Sequence, residues 1–316
     1  MSDSDRTLGP PAARTSLLGR SNPPVTSPSR SRSAPQHPSS SVNMAAVPNP
    51  AADRLVEATA AAARVAELVG ADAREPKVLH RSNNVVVRFA DVVLKVSTDF
   101  AVSERDVVVA SHVSAASGPA LAPLQAPIID GEFSISVWPY LPDGLKIAER
   151  DAGQALRDLH RTLVGVPIDL PPLSTRFADA AAVLADVAAT AALDPRDRAV
   201  LRNAVETVAP ATAGAAVLHS EPHDRNRLRR DGQVVYIDFE AASIGPIEWD
   251  LAHLPDNAVV QGLWPDHNPQ LRATLRIGVS AGVSVACWRH VTAHPRDAEM
   301  RWHAEHHLEA VRRALA

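Results

Sequence analysis

The chain has 316 residues, enough for one large or two modest hydrophobic cores. Its 32 Lys and Arg against 36 Asp and Glu leave a formal charge of -4, too near balance for a surface that binds nucleic acid by releasing counterions. Cys287 is the single cysteine, so an internal disulfide is excluded, and its apolar neighbours predict a buried thiol.

Residues 1–50 are dense in Ser, Pro and Arg and hold few large apolar side chains. Such a segment buries too little surface to offset the entropy of ordering it, and a disordered tail is the expectation. Residues 51–69 are Ala-rich, carry Leu55, Val56, Val65 and Leu68, and close on Gly70, which predicts a helix. The period then changes. Short β-branched runs at 78–80, 85–89 and 92–96, separated by Arg-Ser-Asn-Asn and Ala-Asp, predict two or three antiparallel strands with tight turns. A helix over 103–116 follows, then a strand over 133–141 that Pro139 and Pro142 bring to its end.

Beyond Gly144 apolar residues return every three or four positions, predicting helices over 148–163, 177–193 and 196–208. Two short strand-like pieces, 217–219 and 234–237, interrupt them. Helices over 271–290 and 296–315 finish the chain, the last starting near Pro295, whose ring suits a first helical turn. The expected class is α+β, with a small antiparallel β lobe over 51–142 and a larger, mostly α-helical lobe over 143–316. The longest weakly polar stretch, 277–288, is shorter than the roughly twenty apolar residues of a membrane-spanning helix. No charged-then-apolar signal opens the chain, so a soluble cytoplasmic protein that engages neither membrane nor nucleic acid is the expectation.

The chemistry concentrates between His219 and Asp250. His219-Ser220-Glu221-Pro222-His223-Asp224-Arg225-Asn226 is a polar loop; Tyr236-Ile237-Asp238-Phe239-Glu240 ends an apolar strand in acids; Glu248-Trp249-Asp250-Leu251-Ala252 follows. Asn226 and Asp238 offer the oxygen ligands a hard cation such as Mg²⁺ prefers. Glu221 sits where a carboxylate can accept a hydroxyl proton. Upstream, Lys95 stands alone in the apolar strand Val92-Val93-Leu94-Lys95-Val96, a costly placement unless its ammonium meets an anion.

This segment resembles the catalytic loop and metal-binding motif of the aminoglycoside phosphotransferase and choline kinase family, whose usual pattern is His-Gly-Asp-x-x-x-x-Asn, then Ile-Asp, then Asp-Leu-Ala. The resemblance implies a bilobal, protein-kinase-like fold. It makes His219 the structural histidine of the loop and Glu221 the catalytic acid position. Asn226 and Asp238 become ligands of Mg²⁺, and Asp250 the carboxylate that supports the loop. Lys95 corresponds to the strand-borne lysine on the phosphates of ATP or GTP, paired with an acid on the following helix, Glu104 or Asp106, with the spacing favouring Asp106. The turn Ser82-Asn83-Asn84 occupies the position over those phosphates, and Trp138 and Tyr140 lie in the linker that receives adenine.

Two departures from the pattern stand out. Ser220 replaces Gly and Glu221 replaces Asp, which puts the carboxylate one methylene further from its backbone. Asp224 is a second candidate for the same role, whereas His223 reads as a hydrogen-bonded loop residue. Two readings follow: an ATP- or GTP-dependent transfer of phosphate to an alcohol group of an aminoglycoside-, choline- or sugar-like molecule, or a weak or inactive nucleotide-binding pseudokinase. In the last third, His303, His306 and His307 share a helix face, as a metal site or as a solvated or pocket-lining surface. Glu240, Glu299, Glu305 and Glu309 are candidates to face a polycationic acceptor, and equally read as an ordinary charged surface.

Overall fold

The computed structural model describes residues 50–81, 84–142, 146–255 and 257–316. A helix, α1 (Pro50–Leu68), is followed by β1 (Lys77–Arg81), β2 (Val85–Phe89) and β3 (Val92–Ser97), then α2 (Phe100–Ala115), β4 (Ile128–Asp130) and β5 (Phe133–Pro139). The five strands form one sheet in the order β1-β2-β3-β5-β4, each neighbouring pair antiparallel. Strand period 2 explains what each face carries. In β3, Leu94 and Val96 are buried against Ala58, Ala61, Ala62 and Val65 of α1, together with Val87, Phe89, Ile135 and Val137. Lys95, between them, therefore points to the opposite face. Asp99 caps α2 by accepting the Val102 N–H at 3.1 Å.

The remainder is mostly helical: α3 (Glu149–Thr162), α4 (Ser174–Ala185), α5 (Pro195–Val208), α6 (Glu248–Ala252), α7 (Asn257–Leu263), α8 (Pro269–Ala293) and α9 (Ala298–Leu315). Four short strands interrupt it: β6 (Ala216–Leu218), β7 (Arg227–Arg230), β8 (Gln233–Tyr236) and β9 (Ser243–Gly245). One core gathers Leu184, Leu201, Leu275, Trp288 and Leu308 between α4, α5, α8 and α9. A second joins Val109 and Val113 of α2 to Leu156 and Leu159 of α3 and to Tyr236, Phe239 and Leu251. The chain is thus α+β, with a small antiparallel sheet ahead of a helical part, as expected.

Two hairpin-like pairings set the polar loops. β7 pairs with β8, placing Arg227 opposite Tyr236, and β6 pairs with β9, placing Leu218 opposite Ser243. The Ile237 N–H donates to the Asn226 carbonyl at 3.1 Å, so the loop after β6 and the acidic turn after β8 lie side by side.

Several boundaries differ from expectation for local reasons. The helix expected over 177–193 stops at Ala185 because the Asp186 carboxylate accepts the N–H groups of Ala188 and Ala189, an alternative to helical pairing that Asp offers. The last helix begins at Ala298 rather than near Pro295, since Asp297 is its cap and accepts the Met300 N–H at 3.0 Å. No described helix is long and apolar enough to cross a membrane. Cys287 is buried in the helical core, as expected, and burial pushes its thiol up to about 11.

Candidate functional site

Lys95 is the hub. Its Nζ lies 3.0 Å from Asp106 of α2, 2.7 Å from Asp238 Oδ1 and 2.7 Å from Glu240 Oε1. The ambiguity over its helix partner is resolved: Asp106 is buried and also accepts the Phe239 N–H at 2.7 Å, while Glu104 is exposed. Glu240, a candidate for either an acceptor pocket or a charged surface, joins this cluster instead. Its carboxylate also accepts Asn84 Nδ2 at 2.6 Å, and its carbonyl accepts Arg105 Nη1 at 2.7 Å. Asn84 is the described end of the turn expected over the phosphates; Ser82 and Asn83 lie outside the described residues.

Three carboxylates around one ammonium leave two negative charges in excess. Burial opposes the charge on Lys95, but Asp106, Asp238 and Glu240 outweigh it and hold the ammonium protonated. Burial, then the crowding of like charge, pushes Glu240 up to about 7 despite Lys95, and burial raises Asp106 likewise. The oxygens of Asp106, Asp238 and Glu240 lie within 4.8 Å of one another, close enough to share a metal ion, and no other set of three or more His, Cys, Asp or Glu among the described residues is. Asp238 itself has φ 68, the left-handed region that Asp tolerates better than most residues. That turn carries the chain from β8 into the short 3-10 turn Phe239–Ala241.

The loop after β6 is built around the fully buried Asp250 of α6. Its carboxylate accepts the N–H groups of His219 at 2.9 Å and Ser220 at 2.8 Å, and meets His160 Nε2 at 2.9 Å. Burial works against this charge, but the His160 contact and the charges and amide around it hold the carboxyl below the usual range. His219 joins the two loops. Its Nε2 is 3.0 Å from the Ile237 carbonyl and its Nδ1 is 3.3 Å from the Glu221 N. A neutral ring protonated on Nε2 satisfies both contacts, and burial favours the neutral form.

Ser220 has φ 73, which explains why the pattern it resembles uses Gly there: only Gly adopts this region without a Cβ penalty, about 1 to 2 kcal/mol for other residues. The serine hydroxyl is matched by Ser243 Oγ at 2.6 Å, and its carbonyl accepts Trp249 Nε1 at 2.8 Å. Asn226 donates its amide nitrogen to the Glu221 carbonyl at 3.0 Å, an arrangement that turns the amide oxygen away from that bond. Glu221 pairs with Arg176 Nη2 of α4. Burial raises its carboxyl, but the Arg176 charge and hydrogen bond prevail and hold it below its ordinary value. Arg176 is the residue sequence reasoning missed; it stands 45 positions upstream of Glu221 and outside any motif.

The remaining candidates sit elsewhere. Asp224 is exposed and accepts the Arg225 N–H. The Nδ1 of His223 is buried without a hydrogen bond, and burial keeps the ring neutral. The Trp138 indole is buried and donates to Ser136 Oγ at 2.8 Å. The Tyr140 N–H is taken by the Asp91 carbonyl at 2.7 Å, and Arg88 stacks 3.5 Å over its ring. His306 stacks on Trp302, and burial pushes His307 down to about 4. Glu299 faces Arg225 and His303, Glu309 faces Arg312 and Arg313, and Glu305 is exposed.

This fold has solved relatives. A choline/ethanolamine kinase family protein from Mesorhizobium loti superposes with a TM-score of 0.62 at 18% identity, over 82% of this chain and 94% of that one. A spectinomycin phosphotransferase in complex with ADP and spectinomycin gives 0.61 at 13% identity, over 80% and 97%. An amicoumacin kinase in complex with AMP-PNP, Ca²⁺ and Ami gives 0.61 at 10% identity, over 82% and 95%. At these identities the likeness is one of fold. No curated protein matches the sequence. A family model described as the phosphotransferase enzyme family matches residues 69–282, more than half the chain and the whole span from Lys95 to Asp250. The chain therefore belongs to the phosphotransferase enzyme family.

Proposed function

We propose that this phosphotransferase moves the γ-phosphate of ATP or GTP to a hydroxyl of a small molecule, using the cluster around Lys95 and the loop at Glu221. The observation that carries this is the convergence of Lys95, Asp106, Asp238 and Glu240, residues scattered over the sheet, α2 and the turn after β8. Lys95 holds the α- and β-phosphates, and Asp106 orients its ammonium. The donor set suits Mg²⁺: carboxylate oxygens of Asp238 and the amide oxygen of Asn226 are hard ligands, and the excess negative charge matches a divalent ion. Bound there, the cation neutralises charge that develops on the phosphate oxygens.

Glu221 orients the acceptor hydroxyl. As its oxygen bonds to the γ-phosphorus, the bond to the bridging oxygen breaks, the nucleoside diphosphate leaves, and the hydroxyl proton passes to the Glu221 carboxylate. Residues 51–142 form the nucleotide-binding lobe in this reading, with Trp138 and Tyr140 in the linker beside the base, and residues 143–316 supply catalysis and the acceptor pocket. A nucleotide co-substrate of this kind is compatible with the expected cytoplasmic location.

The acceptor side favours a neutral or singly charged molecule over a polycation. Of the four acids that were candidates to meet one, Glu240 belongs to the Lys95 cluster, and Glu299 and Glu309 already face arginines. A guanidinium, Arg176, stands beside Glu221. The pairing of Glu221 with Arg176 also motivates the second reading, a pseudokinase whose carboxylate is neutralised. A labelled γ-phosphate transfer assay separates them, with amino alcohols, choline, sugars and aminoglycosides as acceptors. We expect a phosphorylated product, with uncharged or monocationic alcohols ahead of aminoglycosides. Tight Mg-ATP binding without transfer to any acceptor would favour the pseudokinase.

A further inference from the structure

We propose that Arg176 of α4 is the positioning residue for Glu221, fixing its carboxylate so that a glutamate serves where the family pattern has an aspartate. The inference rests on the reading of Glu221 as the group that meets the acceptor hydroxyl.

Glutamate has one more rotatable bond than aspartate, so an untethered carboxylate at this position samples more rotamers. A misplacement of about 1 Å costs on the order of a hundredfold in rate. Arg176 removes that freedom by pairing with Oε1 of Glu221. Among the described residues no protein hydrogen bond is made to Oε2, which leaves that oxygen for a hydroxyl. The guanidinium is itself held: it lies 5.9 Å over the Trp249 ring, and Trp249 Nε1 donates to the carbonyl of Ser220, the residue before Glu221. α4, α6 and the loop thus form a closed bracket around one carboxylate.

The other titratable groups that face Glu221 do not duplicate this. His219 and His223 belong to its own loop and His253 follows α6; burial keeps all three rings neutral, His253 being pushed down to about 3. Arg176, by charge and hydrogen bond, is the largest influence offsetting the burial of the carboxylate, ahead of His223 and His253. A purely structural role, anchoring the start of α4, would lower stability and leave kcat of the folded protein untouched.

The test uses the full chain with two readouts, phosphate transfer and the melting curve. Arg176→Met is expected to lower kcat about 10- to 100-fold and to leave KM for ATP unchanged in a protein that still melts cooperatively. Arg176→Lys, which keeps the charge, should recover part of the loss. In the Glu221→Asp background the Arg176→Met change should add little, because the shorter side chain is already out of reach. An unchanged kcat in a folded Arg176→Met protein overturns the proposal, as does an equal kinetic loss in both backgrounds. Absence of transfer by the parent to any acceptor counts instead against phosphotransfer. Should Arg176→Met fail to fold, Arg176→Gln carries the same two measurements.

Discussion

Replacing Asp238 by Asn is expected to lower phosphate transfer by about three orders of magnitude while leaving the fold intact. A thousandfold corresponds to about 4 kcal/mol of transition-state stabilisation, the scale lost when one preorganised charge is removed from developing charge. Asp238 supplies the carboxylate proposed to ligate the cation, and its side chain is 35% exposed. The fold should tolerate the change because Lys95 retains Asp106 and Glu240, and the cluster sheds one of two excess negative charges. Steady-state rates together with a melting curve check this. Activity within tenfold of the parent would remove Asp238 from the chemistry.

The second large effect is on stability. Asp250→Ala is expected to cost about 3 to 5 kcal/mol, the range for removing one member of a buried, charge-assisted network. The amides of His219 and Ser220 and the ring of His160 would all lose their acceptor in a fully buried site. For a protein of this size the melting temperature should fall by roughly 10 °C, and residual activity should fall with it because the same amides hold the loop that carries Glu221. Thermal or urea unfolding measures the first effect. A loss under 1 kcal/mol would mean the loop is held by other contacts.

The residues of the site divide by how they signal themselves in sequence. Lys95 is conspicuous because an ammonium inside a β-branched strand requires an anion, and Asp238 because an acid ends an apolar strand. The spacing already favoured Asp106 over Glu104, and the structure pairs Asp106 with Lys95; two positions on one helix differ by about 200° in direction, so packing turns only one of them to the sheet. Glu240 was legible as an acid but not as a partner of Lys95; the 3-10 turn that swings it inward is three residues long and has no period to read. Arg176 carried no signal, because its partner is set by the packing of α4 against α6. β4, β7, β9, α6 and α7 were hidden for another reason, being too short for a hydrophobic pattern. The long, strongly periodic elements and the strand alternation around Lys95 were legible throughout.

The central claim is that the cluster around Lys95 binds a nucleotide through a divalent cation. Burial pushes Glu240 up to about 7 from its ordinary 4.5, so its contribution to stability is lost as pH rises from about 4.5 through 7, and protons compete with the cation below that point. The direct measurement is the melting-temperature shift produced by Mg-ATP and by ATP in chelator, each at pH 6 and pH 8. The account expects Mg-ATP to stabilise more than ATP in chelator, with the gap widening at pH 8 once Glu240 is ionised. Equal shifts with and without the cation, or no shift with either, would contradict it.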